Sequence, residues 1–198
     1  MSAVLLYGFL LSVVLPFQET PSVPERIWDV ENKSRLVIKG ESNINSFSCE
    51  VDRYYSADRL RLHSTSEPYF RFSDNSIVIN LMEFDCGRKL LTRDFRQTLN
   101  ADSHPEIVIS FLTLDRLPQN NQSDEEIPGM LRITIAGVTK EVTIRFEINS
   151  NVNKTIYLKG KQNFLFSDFG LEPPTKMMGL INVKNELEVL FDLVMYEP

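Results

Sequence analysis

The chain has 198 residues, two cysteines and a net charge of −6; 42% of its residues are hydrophobic and 24% charged. That is the size of one domain with a real core, too apolar for a disordered chain and too poor in cysteine for a disulfide scaffold. The carboxylate excess argues against a nucleic-acid partner, which needs surplus Lys and Arg to neutralise phosphate.

Residues 1–15, MSAVLLYGFLLSVVL, carry no charge, and the first charged side chain is Glu19. The run has the length of a signal-peptide apolar region and falls short of the roughly 20 residues that span a bilayer. It lacks a basic start and an A-x-A cleavage site. We expect residues 1–20 to be an export signal; a buried N-terminal helix or strand and an uncleaved anchor are the alternatives. Pro21 and Pro24 mark residues 21–26 as a linker, and the folded domain, 27–198, starts near Ile27-Trp28.

From Ser34 onward the dominant period is two. Strands are expected at 35–40, 44–52, 58–63 and 76–84. One segment departs from the pattern: in 88–99, Leu91, Phe95 and Leu99 recur at helical spacing and predict a helix of about three turns. Strands resume at 106–114, and the polar stretch 119–126 (QNNQSDEE) is expected to be a solvated loop. Leu131, Ile133 and Ile135 then alternate with polar residues, as do Val142, Ile144, Phe146 and Ile148, with Ala136-Gly137-Val138 as the hairpin connection between them. Strand 155–166 follows, and Leu187, Val189, Phe191, Leu193 and Met195 share one face of the last strand. About nine alternating runs and one helix define an all-β domain of antiparallel strands, either a sandwich or a closed barrel.

Catalysis is poorly supplied. His63 alternates with apolar neighbours on a wet face, and His104 sits in a turn-like Asp-Ser-His-Pro segment. No nucleophile elbow, P-loop or H-E-x-x-H is present, and neither the Cys pair nor the His pair has metal-ligand spacing. We expect no catalytic residue, no metal and no cofactor. If the chain is exported, Cys49 and Cys86 suggest one disulfide; otherwise they are two buried thiols. The stretch 164–179 abandons alternation and is rich in Phe, Pro and Met. Met177 and Met178 suit an adaptable apolar contact, although a loop covering the core has the same composition. The three N-x-[ST] sequons, at Asn32, Asn121 and Asn153, are read as chance matches.

Four blocks in order carry a resemblance. Ser34-Arg35-Leu36-Val37-Ile38-Lys39-Gly40, continued by Ser42-Asn43-Ile44-Asn45-Ser46-Phe47, resembles the opening of YceI-like proteins. Arg93-Asp94 with His104-Pro105-Glu106-Ile107 and Ser110-Phe111 is similar to their second block. Residues 129–140 (GMLRITIAGVTK) resemble the family's hairpin, and Asp168-Phe169-Gly170-Leu171 its D-F-G-I. The resemblance implies a lipocalin-like, up-and-down antiparallel barrel of about eight strands with one inserted amphipathic helix. It also implies an exported, often periplasmic protein that binds a polyisoprenoid or another long amphiphile inside the barrel. Two departures stand out: Ser167 replaces the usual basic residue before D-F-G, and the cysteines and the Pro-Pro-Thr-Lys-Met-Met stretch look like subgroup features.

On this reading Ile109, Phe111, Ile144, Phe146, Phe164, Phe166, Phe169 and Phe191 face the interior, and Leu91, Phe95, Met177 and Met178 cover or gate it. The ligand is a long isoprenoid or other lipid-like molecule, held by apolar burial, with membrane proximity a corollary. Arg88, Lys89 and Arg93 could meet a phosphate head group or simply form a solvated helix face. The competing expectation is a structural or protein-interaction barrel filled by its own side chains.

Overall fold

The computed structural model describes residues 25–51, 54, 58–65, 67–73, 76–118 and 125–198. The apolar run 1–15, most of the linker and residues 119–124 of the polar loop lie outside them. The described residues form twelve strands and one α-helix. In chain order these are β1 (Glu25–Val30), β2 (Arg35–Ser42), β3 (Ser46–Val51), β4 (Arg59–Ser64), β5 (Phe70–Ser73), β6 (Ser76–Asn80), α1 (Lys89–Thr98), β7 (Glu106–Leu114), β8 (Glu125–Ile135), β9 (Val138–Ser150), β10 (Thr155–Leu165), β11 (Thr175–Lys176) and β12 (Ile181–Tyr196).

The pairings close into a ring of eight antiparallel strands, β1-β4-β5-β7-β8-β9-β10-β12, sealed by Asp29↔Tyr196 and Val30↔Met195. Three edges of the ring are interrupted strands. β1 and β2 both run antiparallel to β12, one after the other; β3 and β4 continue them in the same way, and β5 and β6 share the edge of β7. The barrel is therefore lipocalin-like, with the helix inserted between β6 and β7.

The β1–β2 interruption has a specific repair. Buried Ser34 donates its Oγ proton to the Val194 carbonyl (3.1 Å) and accepts the Val194 N–H (2.9 Å), replacing the missing ladder bonds at the break. Apolar alternation fixes the rest of the register, because a one-residue slip would turn every buried side chain outward. At the β8–β9 hairpin, Ala136 (φ 49°) and Gly137 (φ 78°) make a two-residue turn with both central residues left-handed, which matches strand twist. A Cβ at Gly137 would lie 2.7 Å from His104 Cε1, so the imidazole packs on that turn as a structural wedge.

The structure moves several expected boundaries. The barrel begins two residues early, since Glu25 and Arg26 of the linker segment already pair with His63 and Leu62. The run 44–52 starts at Ser46, because Ser42 Oγ binds the Asn45 carbonyl and side chain and folds 42–45 into a turn. The run 76–84 stops at Asn80, whose side chain accepts the Met82 N–H (2.8 Å) and starts a 3-10 turn. Glu125 and Glu126, assigned to the polar loop, belong to β8, opposite Ile148 and Glu147.

Strands β3 and β6 do not pair with each other among the described residues. The Cys49–Cys86 disulfide spans that seam, beside a two-bond backbone bridge between Glu50 and Asp85 (both 2.9 Å). Further along, Tyr54 and Asp58 reach across to the backbone of Val78. The disulfide closes a sequence separation of 37, for which the chain-entropy model gives about 4 kcal/mol of stabilisation. The same seam anchors the helix. Thr92 Oγ1 accepts the Cys86 N–H (3.0 Å), and Arg96 donates to the Met82 and Phe84 carbonyls (2.6 and 3.0 Å).

Ser34→Ala leaves the Val194 N–H buried without its partner, which costs about 1–3 kcal/mol. Thermal unfolding of the variant is expected about 3–10 °C lower than that of the unaltered protein; an unchanged midpoint would refute the repair.

Candidate functional site

The barrel centre is filled. Trp28, Phe72, Phe111 and Phe146 form a chain of ring contacts across it, with centroid separations of 6.2, 5.4 and 6.1 Å. Phe146 fits because two inward positions on its neighbouring strands are glycine. A Cβ at Gly129 or Gly160 would come within 2.9 or 2.8 Å of the Phe146 ring. These small residues make room for an aromatic side chain, and no cavity results from them. The void among Leu36, Val51, Ile79, Ile109, Phe111 and Phe191 is about 10 Å³, at most the room for one water. Of the residues expected to face the interior, Ile109, Phe111, Ile144, Phe146, Phe164 and Phe191 are all buried in this single core.

A groove of about 580 Å³ opens at the helix end of the barrel, whereas larger hollows on the outer strand faces, about 900 and 620 Å³, are lined chiefly by charged and polar side chains. Helix α1 supplies Leu90, Leu91, Phe95 and Thr98 to its wall. The β2–β3 hairpin supplies Phe47, the 3-10 turn Phe166–Phe169 supplies Phe166, and the chain around β11 and β12 supplies Pro174, Ile181 and Val183. The lining is mostly apolar. Phe95, which lines the groove, makes a tilted ring contact with Phe84 (5.2 Å), and Phe164 makes one with Phe169 (5.5 Å). The tip of the Phe47 ring lies over its cross-strand partner Gly40, where a Cβ would stand 2.3 Å from Cζ. Cys86 reaches the groove wall, which places the disulfide beside it.

Few charges touch this space. Asp94 of α1 pairs with Lys176 of β11 (3.1 Å), tying helix to hairpin across the groove, and Arg88 stands at the helix start. The groups with displaced pKa values belong to ion pairs outside the groove. A hydrogen bond from Lys161, joined by Lys39 and opposed by desolvation, holds Glu188 below the usual carboxylate range. A hydrogen bond to Glu41 raises Lys184, and one to Asp29 raises Arg59. These pairs are solvent-accessible and add little to stability.

The expected site residues thus divide. Leu91, Phe95 and Phe166 meet at the groove, and Phe169 is buried directly behind it. Ile109, Phe111, Ile144, Phe146 and Phe191 belong to the filled centre. Met177 and Met178 do not line the groove: they stand in solvent at the tip of the β11–β12 hairpin. Sequence reasoning missed Phe47, Ile181 and Val183. Phe47 could have been found from its place opposite Gly40, but Ile181 and Val183 precede the irregularity in the β12 register between Val183 and Leu187 and fall outside the alternating run. His63 faces Arg71 across β4–β5, while His104 wedges the hairpin turn. No cluster of three or more His, Cys, Asp or Glu side chains suited to a metal occurs among the described residues.

With this geometry established, comparison with known proteins places the chain. The YceI-like domain family matches residues 33–195, most of the chain, so the protein belongs to the YceI-like family. No curated protein sequence matches it. Among solved structures, Burkholderia cenocepacia BcnA superposes with a TM-score of 0.61 at 16% identity, covering 84% of this chain and 99% of that one. A polyisoprenoid binding domain from Saccharophagus degradans, implicated in plant cell wall breakdown, gives 0.61 at 12% identity, covering 86% and 98%. The Campylobacter jejuni YceI protein gives 0.52 at 11% identity, covering 96% and 93%. At these identities the likeness establishes the shared barrel fold.

Gly160→Val drives a side chain into the Phe146 ring and is expected to cost about 1–3 kcal/mol of stability. In a Phe146→Leu background the same substitution is expected to cost at least about 0.5 kcal/mol less, as read from chemical denaturation of the four proteins in the cycle. Strict additivity would show that Phe146 does not occupy the space above Gly160.

Proposed function

We propose that this protein is a non-catalytic binding protein that takes one long apolar or amphiphilic molecule, of polyisoprenoid or fatty-acyl type, into the groove at the helix end of its barrel. The observation that carries this reading is the groove itself. Its volume, about 580 Å³, lies within the roughly 300–1,000 Å³ of small-molecule sites. Phe47, Leu91, Phe95, Phe166, Ile181 and Val183 offer an apolar floor and walls, and burial of a chain against them is worth about 25 cal/mol per Å² before ordering costs. Membership of the YceI-like family and the Saccharophagus degradans relative support the ligand class. Ile109, Phe111, Ile144, Phe146 and Phe191 serve as the packed base on which the groove is held, and a ligand reaching deeper would displace Phe164 and Phe169 first. Export to the periplasm or outside the cell is part of the proposal; the Cys49–Cys86 bridge supports it, because such bonds persist in oxidising compartments.

A second reading, a structural or protein-interaction barrel, draws on the filled centre, where the void is only about 10 Å³. One experiment separates the two. Freshly purified full-length protein is examined by native mass spectrometry and its organic extract analysed for lipid; the stripped protein is then titrated with a fluorescent polyprenyl probe. The binding reading predicts one probe per chain and roughly a tenfold or greater loss of affinity in Leu91→Glu, with Arg132→Glu on the outer face unchanged. Absence of extracted lipid together with no saturable uptake of polyprenyl or fatty-acyl probes would favour the filled interaction barrel.

A further inference from the structure

The lip of the groove has a composition that its interior does not explain. Thr175↔Asn182 and Lys176↔Ile181 are the pairs of the β11–β12 hairpin, so its tip is Met177-Met178-Gly179-Leu180. Hairpin tips are ordinarily polar and rich in Gly, Asn and Asp. Here three of the four residues are large and apolar, and Met177 (φ 51°) and Met178 (φ 54°) hold left-handed backbone that side chains other than Gly, Asn and Asp seldom adopt. The tip is fixed in place. Asn43 of the β2–β3 turn donates to the Leu180 carbonyl (2.9 Å) and accepts the Asn182 N–H (3.0 Å), while Lys176 pairs with Asp94 of α1. These bonds bring two further apolar side chains to the same lip, Ile44 from the turn and Leu90 from the helix. Ile44, Leu90, Met177, Met178 and Leu180 are 62% to 106% exposed.

The chain segments that carry these side chains are basic. The three segments that make the lip, 42–48, 87–93 and 174–184, contain five cations and no carboxylate, in a chain whose net charge is −6. Lys176 and Lys184 are paired with Asp94 and Glu41, and Arg93 lies near Asp94. Arg88 and Lys89, which directly precede exposed Leu90, form no ion pair among the described residues, and the first turn of α1 contains no acid; Arg88 lines the groove, while Lys89 lies beside it in a hollow shared with Glu83, Asp85 and Asp102. Exposed apolar tips with unpaired cations beside them form the pattern that binds the boundary between acyl chains and anionic head groups.

We propose that this lip docks on an anionic lipid bilayer, with the hairpin tip, Ile44 and Leu90 inserted at the level of the head groups and Arg88 and Lys89 against lipid phosphates. The groove then opens onto the membrane surface, so a long-chain molecule could pass between bilayer and protein without crossing water. Docking rests on the lip alone and stands or falls independently of the ligand reading.

The test uses the full chain and vesicles of one part phosphatidylglycerol to three parts phosphatidylcholine, with pure phosphatidylcholine vesicles as the comparison. Co-sedimentation is expected with the anionic vesicles, falling as salt rises. Met178→Glu combined with Leu180→Glu is expected to weaken partition at least about tenfold, and Arg88→Ser combined with Lys89→Ser about tenfold to thirtyfold with a flatter salt dependence. All four side chains are exposed or at the surface, and melting curves of the variants check that the barrel is intact. No partition onto anionic vesicles, or partition that both folded variants retain, overturns the proposal. A concentration-dependent dimer that the Met178/Leu180 variant dissolves, seen by sedimentation velocity without vesicle binding, assigns the lip to a second copy and overturns it as well. Polyprenyl-probe uptake in the absence of vesicles reports separately on the groove.

Discussion

Strands β3 and β6 do not pair among the described residues, and the Cys49–Cys86 disulfide, with the Glu50–Asp85 backbone bridge beside it, ties β3 to the segment that follows β6. At the other end of the same two interrupted strands, β4 and β5 close the ring with ordinary ladder bonds. The barrel is thus sealed by hydrogen bonds at one end and by a covalent tie at the other. The tie also positions the helix that comes next in the chain: Thr92 accepts the Cys86 N–H and Arg96 caps the carbonyls of the 3-10 turn, so α1 is set over the seam. Without that placement Leu91 and Phe95 would have no fixed position opposite Phe166, Ile181 and Val183.

The same packing explains why the apolar groove lies at the end of the barrel and not inside it. An eight-stranded barrel has an interior just wide enough to be filled by side chains or to hold one slim ligand. Here Phe146 over Gly129 and Gly160, in ring contact with Phe111 and through Phe72 with Trp28, takes the first course. The packed rings form a rigid base, and the extra length of β12 beyond the ring, paired with β11, builds a wall above it. A binding surface on such a base needs little reorganisation when it is occupied, which is how preorganised sites keep more of their contact energy as affinity.

Much of the barrel was legible from alternation. The runs at 106–114, 131–135, 142–148 and 187–195 lie within observed strands, because each buries one face and wets the other. The helix was legible from Leu91, Phe95 and Leu99, and the family from four ordered blocks. Strands β1 and β5 were not. β5 has only four residues, too few to display a period, and β1 starts inside a charged Glu-Arg pair next to prolines. The division of the phenylalanines between filled centre and groove was also beyond periodicity, which reports the buried face of a strand and not what lies above it. A glycine inside a strand can as readily open a cavity as seat a ring; only the place of Gly129 and Gly160 on either side of Phe146 shows them to be its seat. Met177 and Met178 have the softness that suits a gate, yet the hairpin turn points them outward.

The central claim is that the groove at the helix end receives the ligand while the barrel centre stays packed. Photolabelling with a polyprenyl chain carrying a benzophenone, followed by peptide mapping, tests it most directly. The account predicts saturable labelling confined to α1, the β2–β3 hairpin and residues 173–183, competed by unlabelled polyprenol. Labelling concentrated at Trp28, Phe72 or Phe111 would contradict it, as would labelling on the outer face of β8–β10.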